Sequence, residues 1–220
     1  MSLAVVGTDT GIGKTVVTAG LVSSFRESGY DARAIKPAQT AFPEDDDAAY
    51  VAAACGEESA AVRLRSRPEP LAPAVAARRA DDPISYESLL ADTREALAES
   101  EVGIVEGAGG LRVPLSNEPR REIVDLVADL SVSAVVVARS GLGTLNHTAL
   151  TVEALRRRDV PVEGVVLNQY DGETVAERTN PDELERMCSC PVWTVPTVEL
   201  EVPRDATALT EHLPEPSALR

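Results

Sequence analysis

Gly7-Thr8-Asp9-Thr10-Gly11-Ile12-Gly13-Lys14-Thr15 decides the reading of this chain. It follows a β-branched run, Ala4-Val5-Val6-Gly7, and leads into a helical stretch that ends at Ser28 before Gly29. Strand, glycine loop and helix in that order form a phosphate cradle. The glycines let consecutive backbone N–H groups turn toward an anion, and the helix start adds its positive end. In such a loop Lys14 reaches the β and γ phosphates and the Thr15 hydroxyl ligates Mg²⁺. Five residues separate Gly7 from Gly13, one more than in the commonest form of the motif.

Only two lysines occur in 220 residues, against nineteen arginines. Besides Lys14, the other is Lys36, in Ile35-Lys36-Pro37 at the end of the next strand, Asp31 to Lys36. An ammonium on a flexible stem is a point charge, suited to phosphate or a developing anion, whereas guanidinium is a planar fork. Both lysines therefore point to one anion-handling site.

Outward from the loop, β-branched runs alternate with helical segments. Glu44 to Cys55 reads as a helix with an acidic entrance, Asp45-Asp46-Asp47, and Ser85 to Glu99 as another with Leu89, Leu90 and Leu97 turned inward. Arg63 to Ala80 is proline-rich and gives no clear element. Val102 to Val105 is a strand closed by Glu106-Gly107-Ala108-Gly109-Gly110. Ile123, Leu126, Val127 and Leu130 recur at helical spacing as a core stripe. The wholly apolar Ser133 to Ala138 reads as a strand covered on both faces. Helix Asn146 to Arg158, strand Val162 to Asn168, helix Pro181 to Met187 and strand Val192 to Pro196 follow. The alternation predicts one α/β domain over residues 1–220, three-layered, with a mostly parallel sheet and ligands at the carboxyl ends of its strands.

A net charge of −15 argues against a nucleic-acid-binding surface. No apolar run is long enough to span a membrane, and the N-terminus lacks the pattern of a signal peptide, so a cytoplasmic address is expected. The three cysteines, including Cys188-Ser189-Cys190, lack the partners a metal site or disulfide framework needs and read as reduced thiols. Glu106, at the end of a buried strand, and one of Asp45 to Asp47 are placed to help hold Mg²⁺.

These segments, together with Pro114-Leu115-Ser116, Leu142-Gly143-Thr144-Leu145-Asn146-His147 and Gly164-Val165-Val166-Leu167-Asn168, resemble in order the dethiobiotin synthetase family. The five-residue loop spacing is that family's form. The resemblance implies a P-loop NTPase-like fold and ATP-dependent carboxylation of 7,8-diaminopelargonate with CO₂. A carbamate and a carbamic-phosphoric anhydride would lie on the way to the ureido ring. It implies catalytic roles for Lys36, Lys14 and Thr10, and substrate contact by Thr40. Thr15, Asp47 and Glu106 would hold Mg²⁺, with Asp47 preferred over its neighbours. ATP would lie along Gly11, Ile12, Gly13, Lys14, Thr15 and Val16 and against Gly107, Ala108 and Gly109. Asn168 and Gln169, with Val195, Pro196 and Thr197, would enclose the adenine. The family is a homodimer, and the turn Gly143, Thr144, Leu145 and Asn146 would meet the substrate carboxylate across the interface. His147 would be a structural or interface residue rather than a general base.

Two departures stand out: Gly11 where some relatives carry glutamate, and Ala74 after Pro70-Leu71-Ala72-Pro73 where histidine is frequent. Amidating ligases of the cobyrinate type need a glutaminase domain for which 220 residues leave no room. Switch-type ATPases of partition systems carry a further lysine early in the loop, absent from Val6 to Asp9. A regulatory domain derived from the synthetase is disfavoured by the intact Lys14, Thr15, Lys36 and Glu106.

The acidic balance suggests a surface adapted to salt. Raising KCl from millimolar to molar should raise the thermal midpoint by screening self-repulsion; a midpoint that stays flat or falls contradicts this.

Overall fold

The computed structural model describes residues 1–219. In chain order the elements begin with β1 (Ser2–Gly7), α1 (Lys14–Glu27), β2 (Ala32–Gln39), α2 (Asp47–Cys55), β3 (Ala61–Ser66), α3 (Pro73–Arg79) and α4 (Tyr86–Ala98). They continue with β4 (Val102–Glu106), β5 (Pro114–Asn117), β6 (Arg120–Glu122), α5 (Ile123–Leu130), β7 (Ser133–Arg139), α6 (Thr144–Arg156), β8 (Val162–Asn168), α7 (Val175–Cys188) and β9 (Val192–Thr194). A 3-10 segment, Pro203–His212, follows.

Seven strands form one sheet in the order β3-β2-β4-β1-β7-β8-β9. Every pairing in it is parallel, so the expected mostly parallel sheet is wholly so; β5 and β6 form a separate antiparallel hairpin. Alternation along the strands builds two cores. Leu3, Val5, Val135, Val137 and Val166 face α1, α2 and the 3-10 segment. Ala4, Val6, Ala134, Val136, Val165 and Leu167 face α4 to α7. Aliphatic side chains dominate both, as an aromatic content of 3% requires.

Several expectations shift. The strand expected to end at Lys36 runs on to Gln39, so Lys36 lies inside β2, and the strand expected to reach Pro196 ends at Thr194. The helix expected from Glu44 begins at Asp47, because Asp46 caps it by accepting from Ala49 N–H. The helix expected from Asn146 begins at Thr144. The helix expected from Pro181 begins at Val175, where Thr174 and Glu177 form a capping box, and Pro181 sits inside it. The box supplies the start signal; the proline only removes one backbone donor. Arg63 to Ala80, illegible in sequence, holds β3 and α3.

At the far edge Trp193 of β9 lies across β8. A Cβ at Gly164 would come 2.2 Å from the Trp193 ring and 2.7 Å from Pro191 O. Gly164→Ala should cost about 1–3 kcal/mol by overpacking, lowering the thermal midpoint by roughly 3–10 °C. An unchanged midpoint would mean a looser β8–β9 contact than this.

Candidate active site

Five strand ends converge on one cleft of ≈ 750 Å³ at the carboxyl edge of the sheet. β1 gives the glycine loop, β2 gives Lys36 and Thr40, β4 gives Glu106, β8 gives Asn168 and Gln169, and the chain beyond β9 gives Pro196 and Thr197. Central β1 lies between β4 and β7, the point where the strand order reverses and where an open α/β sheet leaves its crevice.

The loop is built to take an anion. Helix α1 is capped by Gly13 in the left-handed region, φ 90°, with no side chain bonding its first N–H groups. Those donors stay free for a ligand. Lys14 Nζ donates to Asp9 O at 3.0 Å, folding the ammonium over the loop. Burial, then the nearby Lys36, lowers its pKa to about 8.

Next to it lies a buried charge cluster. Lys36 Nζ donates to Glu106 Oε1 at 2.9 Å and Gly107 O at 3.3 Å, and pairs with Asp47 Oδ2. Burial disfavours the ammonium, but Glu106 and Asp47 outweigh this and hold its pKa above the ordinary lysine value. The two carboxylates move apart. Burial and then the Asp47 charge push Glu106 up against the pull of Lys36. Asp47 is also penalised by burial, yet Lys36 brings it below the usual range.

Thr15 Oγ1 lies 2.9 Å from both Asp47 Oδ1 and Glu106 Oε1. One hydroxyl hydrogen cannot satisfy two carboxylates, so three oxygens meet with a single proton between them. That all-oxygen donor set suits a hard divalent cation. The geometry also separates the three aspartates: Asp46 is spent on the α2 cap and on Arg63, whereas Asp47 faces Thr15.

On the opposite side, Asn168 is buried and donates from Nδ2 to Ile12 O at 3.0 Å. A Cβ at Gly13 would meet that nitrogen at 2.0 Å. The post-β9 segment is tied down by Tyr170 N–H on Val195 O and by Thr197 on Asp171.

Thr10, Gly11, Val16, Ala108 and Gly109 also line the cleft. Ile12 and Val195 lie in the core behind it, and Gly107 contributes its carbonyl. Gly143, Thr144, Leu145 and Asn146 do not line it; they form the start of α6, beside a fully displayed Leu142. His147 is exposed.

Sequence reasoning missed Gln39. Its buried amide accepts from Asp47 N–H at 3.2 Å and donates to Thr40 O at 2.9 Å, fixing both residues. A polar residue three positions after Lys36, at the end of β2, was the available signal. Leu200 and Leu209, from the tail, also line the cleft and gave no local sign.

A family model described as an AAA domain matches residues 1–203. A ParA family ATPase from Chlorobium tepidum TLS superposes with a TM-score of 0.62 at 14% identity, over 96% of this chain and 94% of that one, a likeness of fold alone. The ATP-dependent dethiobiotin synthetase BioD of an Anaeromyxobacter species (strain Fw109-5) is 44% identical over 190 residues, 84% of each chain. That of Haloferax mediterranei is 59% identical over 213 residues, spanning 90% of its own length. Being similar to that degree over 96% of its own residues, the chain belongs to the ATP-dependent dethiobiotin synthetase family.

Proposed function

We propose that this enzyme carboxylates 7,8-diaminopelargonate with CO₂ and closes the ureido ring of dethiobiotin at the expense of ATP. The observation that carries the reading is the Lys36 ammonium, buried between Asp47 and Glu106 at the mouth of the phosphate loop. One substrate amine adds to CO₂, losing a proton, to give a carbamate. A carbamate oxygen attacks the γ-phosphorus, ADP leaves, and the carbamic-phosphoric anhydride forms. The second amine then attacks the anhydride carbonyl and expels phosphate.

Each stage brings anionic oxygens together, so positioned positive charge is the main catalytic resource. Lys14 neutralises the transferring phosphoryl group, and Lys36 holds the carbamate and its phosphorylated form. Thr15, Asp47 and Glu106 are the residues that would hold Mg²⁺, which when bound offsets the charge of the phosphates. The Thr10 and Thr40 side chains face the reacting end of the substrate from either side of the cleft.

Asn168 and Gln169 read the adenine, and the Val195 to Thr197 backbone forms its other wall. An amide offers a donor and an acceptor together, as the edge of that base requires. The Gly143 to Asn146 turn serves the partner subunit of a homodimer, receiving the far carboxylate of the substrate. Two features support this: α6 has no side-chain cap at Gly143, and its start stands outside the cleft of its own chain.

Phosphate release from MgATP and bicarbonate should depend on the diamine and yield dethiobiotin by mass. Lys36→Ala should keep ATP binding while turnover falls about 10²–10³-fold; near-normal turnover removes Lys36 from catalysis.

Asn168→Ala has two expected effects, because the amide also holds Ile12 O. Affinity for tripolyphosphate should fall modestly as the loop loosens, and ATP should lose roughly tenfold more. Equal losses in equilibrium titrations would exclude Asn168 from base recognition.

A further inference from the structure

Gln169 has a left-handed backbone, φ 55°, without being glycine, and it lines the cleft. Such a conformation costs free energy and persists only where neighbours over-determine it. The neighbour here is Ser140, at the end of β7. Its hydroxyl is buried, donates to Gln169 O at 2.7 Å, and lies 3.1 Å from Glu177 Oε1. With one hydrogen to give, the shorter contact takes it, and Glu177 draws its own donors from Thr174 N–H and Oγ1.

Ser140 is itself held. Buried Asn180 of α7 donates from Nδ2 to Ser140 O at 2.7 Å and lies 3.2 Å from Gly141 O. The result is a closed polar joint between β7, the β8 exit and the first two turns of α7. None of these groups touches the phosphate loop or the Lys36 cluster.

We infer that Ser140 is a positioning residue for nucleotide selectivity, setting the Asn168-Gln169 turn at the angle that faces the base. The inference rests on the reading of that turn as the adenine wall. The hydroxyl holds the carbonyl of Gln169, one residue beyond the Asn168 amide that reaches Ile12 O. Its loss therefore acts mainly on the base side and reaches the phosphate loop only through that amide.

The test is equilibrium titration of the full-length protein, with Mg²⁺ present, using ATP and tripolyphosphate as separate probes. Ser140→Ala should weaken ATP about tenfold and tripolyphosphate less than about twofold. A glycine adopts positive φ without strain, so in a Gln169→Gly background the further change Ser140→Ala should cost less than about twofold, a non-additivity expected only of coupled residues. Equal weakening of both probes, no weakening of ATP, or the same penalty in both backgrounds overturns the inference. Should Ser140→Ala fail to fold, Ser140→Cys, of similar size with a weak donor, carries the same comparison. If Asn168→Ala is selective for ATP and Ser140→Ala is not, only the positioning role fails. If neither is selective, the adenine wall itself is misassigned.

Discussion

A lysine buried with two carboxylates is an expensive arrangement, and the rest of this site depends on it. Removing Lys36, Asp47 and Glu106 from water costs several kcal/mol per ion before any attraction is counted. Apolar replacements would pack there at no such cost. The cluster instead ties together the ends of β2 and β4 and the first turns of α1 and α2 through a single set of contacts. Its charges do not cancel: one cation meets two carboxylates and a hydroxyl. The surplus negative charge suits a divalent cation, and the ammonium beside it suits an anionic intermediate.

The sheet explains why these groups can be brought so close. Parallel strands direct all their carboxyl ends to one edge, and the reversal of strand order around β1 opens the crevice there. Covering both faces with helices leaves the edge open, and the cleft there is lined from the strand ends and from the first turns of the helices that follow them. Gln39 shows the tolerance this demands. One amide sets Asp47 at the start of α2 and Thr40 beyond β2, joining two walls of the cleft.

What could be read in the sequence follows from how local its causes are. The phosphate loop, the apolar strands and the helix near Ser85 are local, and they lie close to where expected. Glu106 was legible as a strand-end charge and Lys36 as a charge in a strand that runs on past it, although their 2.9 Å contact joins residues seventy positions apart. Asp47 could not be separated from Asp45 and Asp46 by physical reasoning on the sequence, because the choice turns on which aspartate caps α2. Pro181 misled because a proline is a good start signal only where no capping box precedes it. The tail segment Pro203–His212 was invisible. Its packing against Gly20 and Val51 is tertiary, and nothing in its composition announces a wall of the cleft.

The division of labour between the two kinds of cation completes the logic. Among the described residues, every ion pair outside the cluster is made by arginine. Most of these pairs lie toward solvent, where a planar fork matches a carboxylate and the contribution to stability is small. At position 36 three acceptors on different segments, Asp47 Oδ2, Glu106 Oε1 and Gly107 O, surround one nitrogen with three hydrogens. A guanidinium is too wide and too flat to replace that nitrogen without moving one of the three segments. At position 14 the ammonium must lie over a loop only a few residues long, and a compact head on a flexible stem can do so. The acidic surface can exchange lysine for arginine freely, but these two positions cannot, because there the shape of the charge matters as much as its sign.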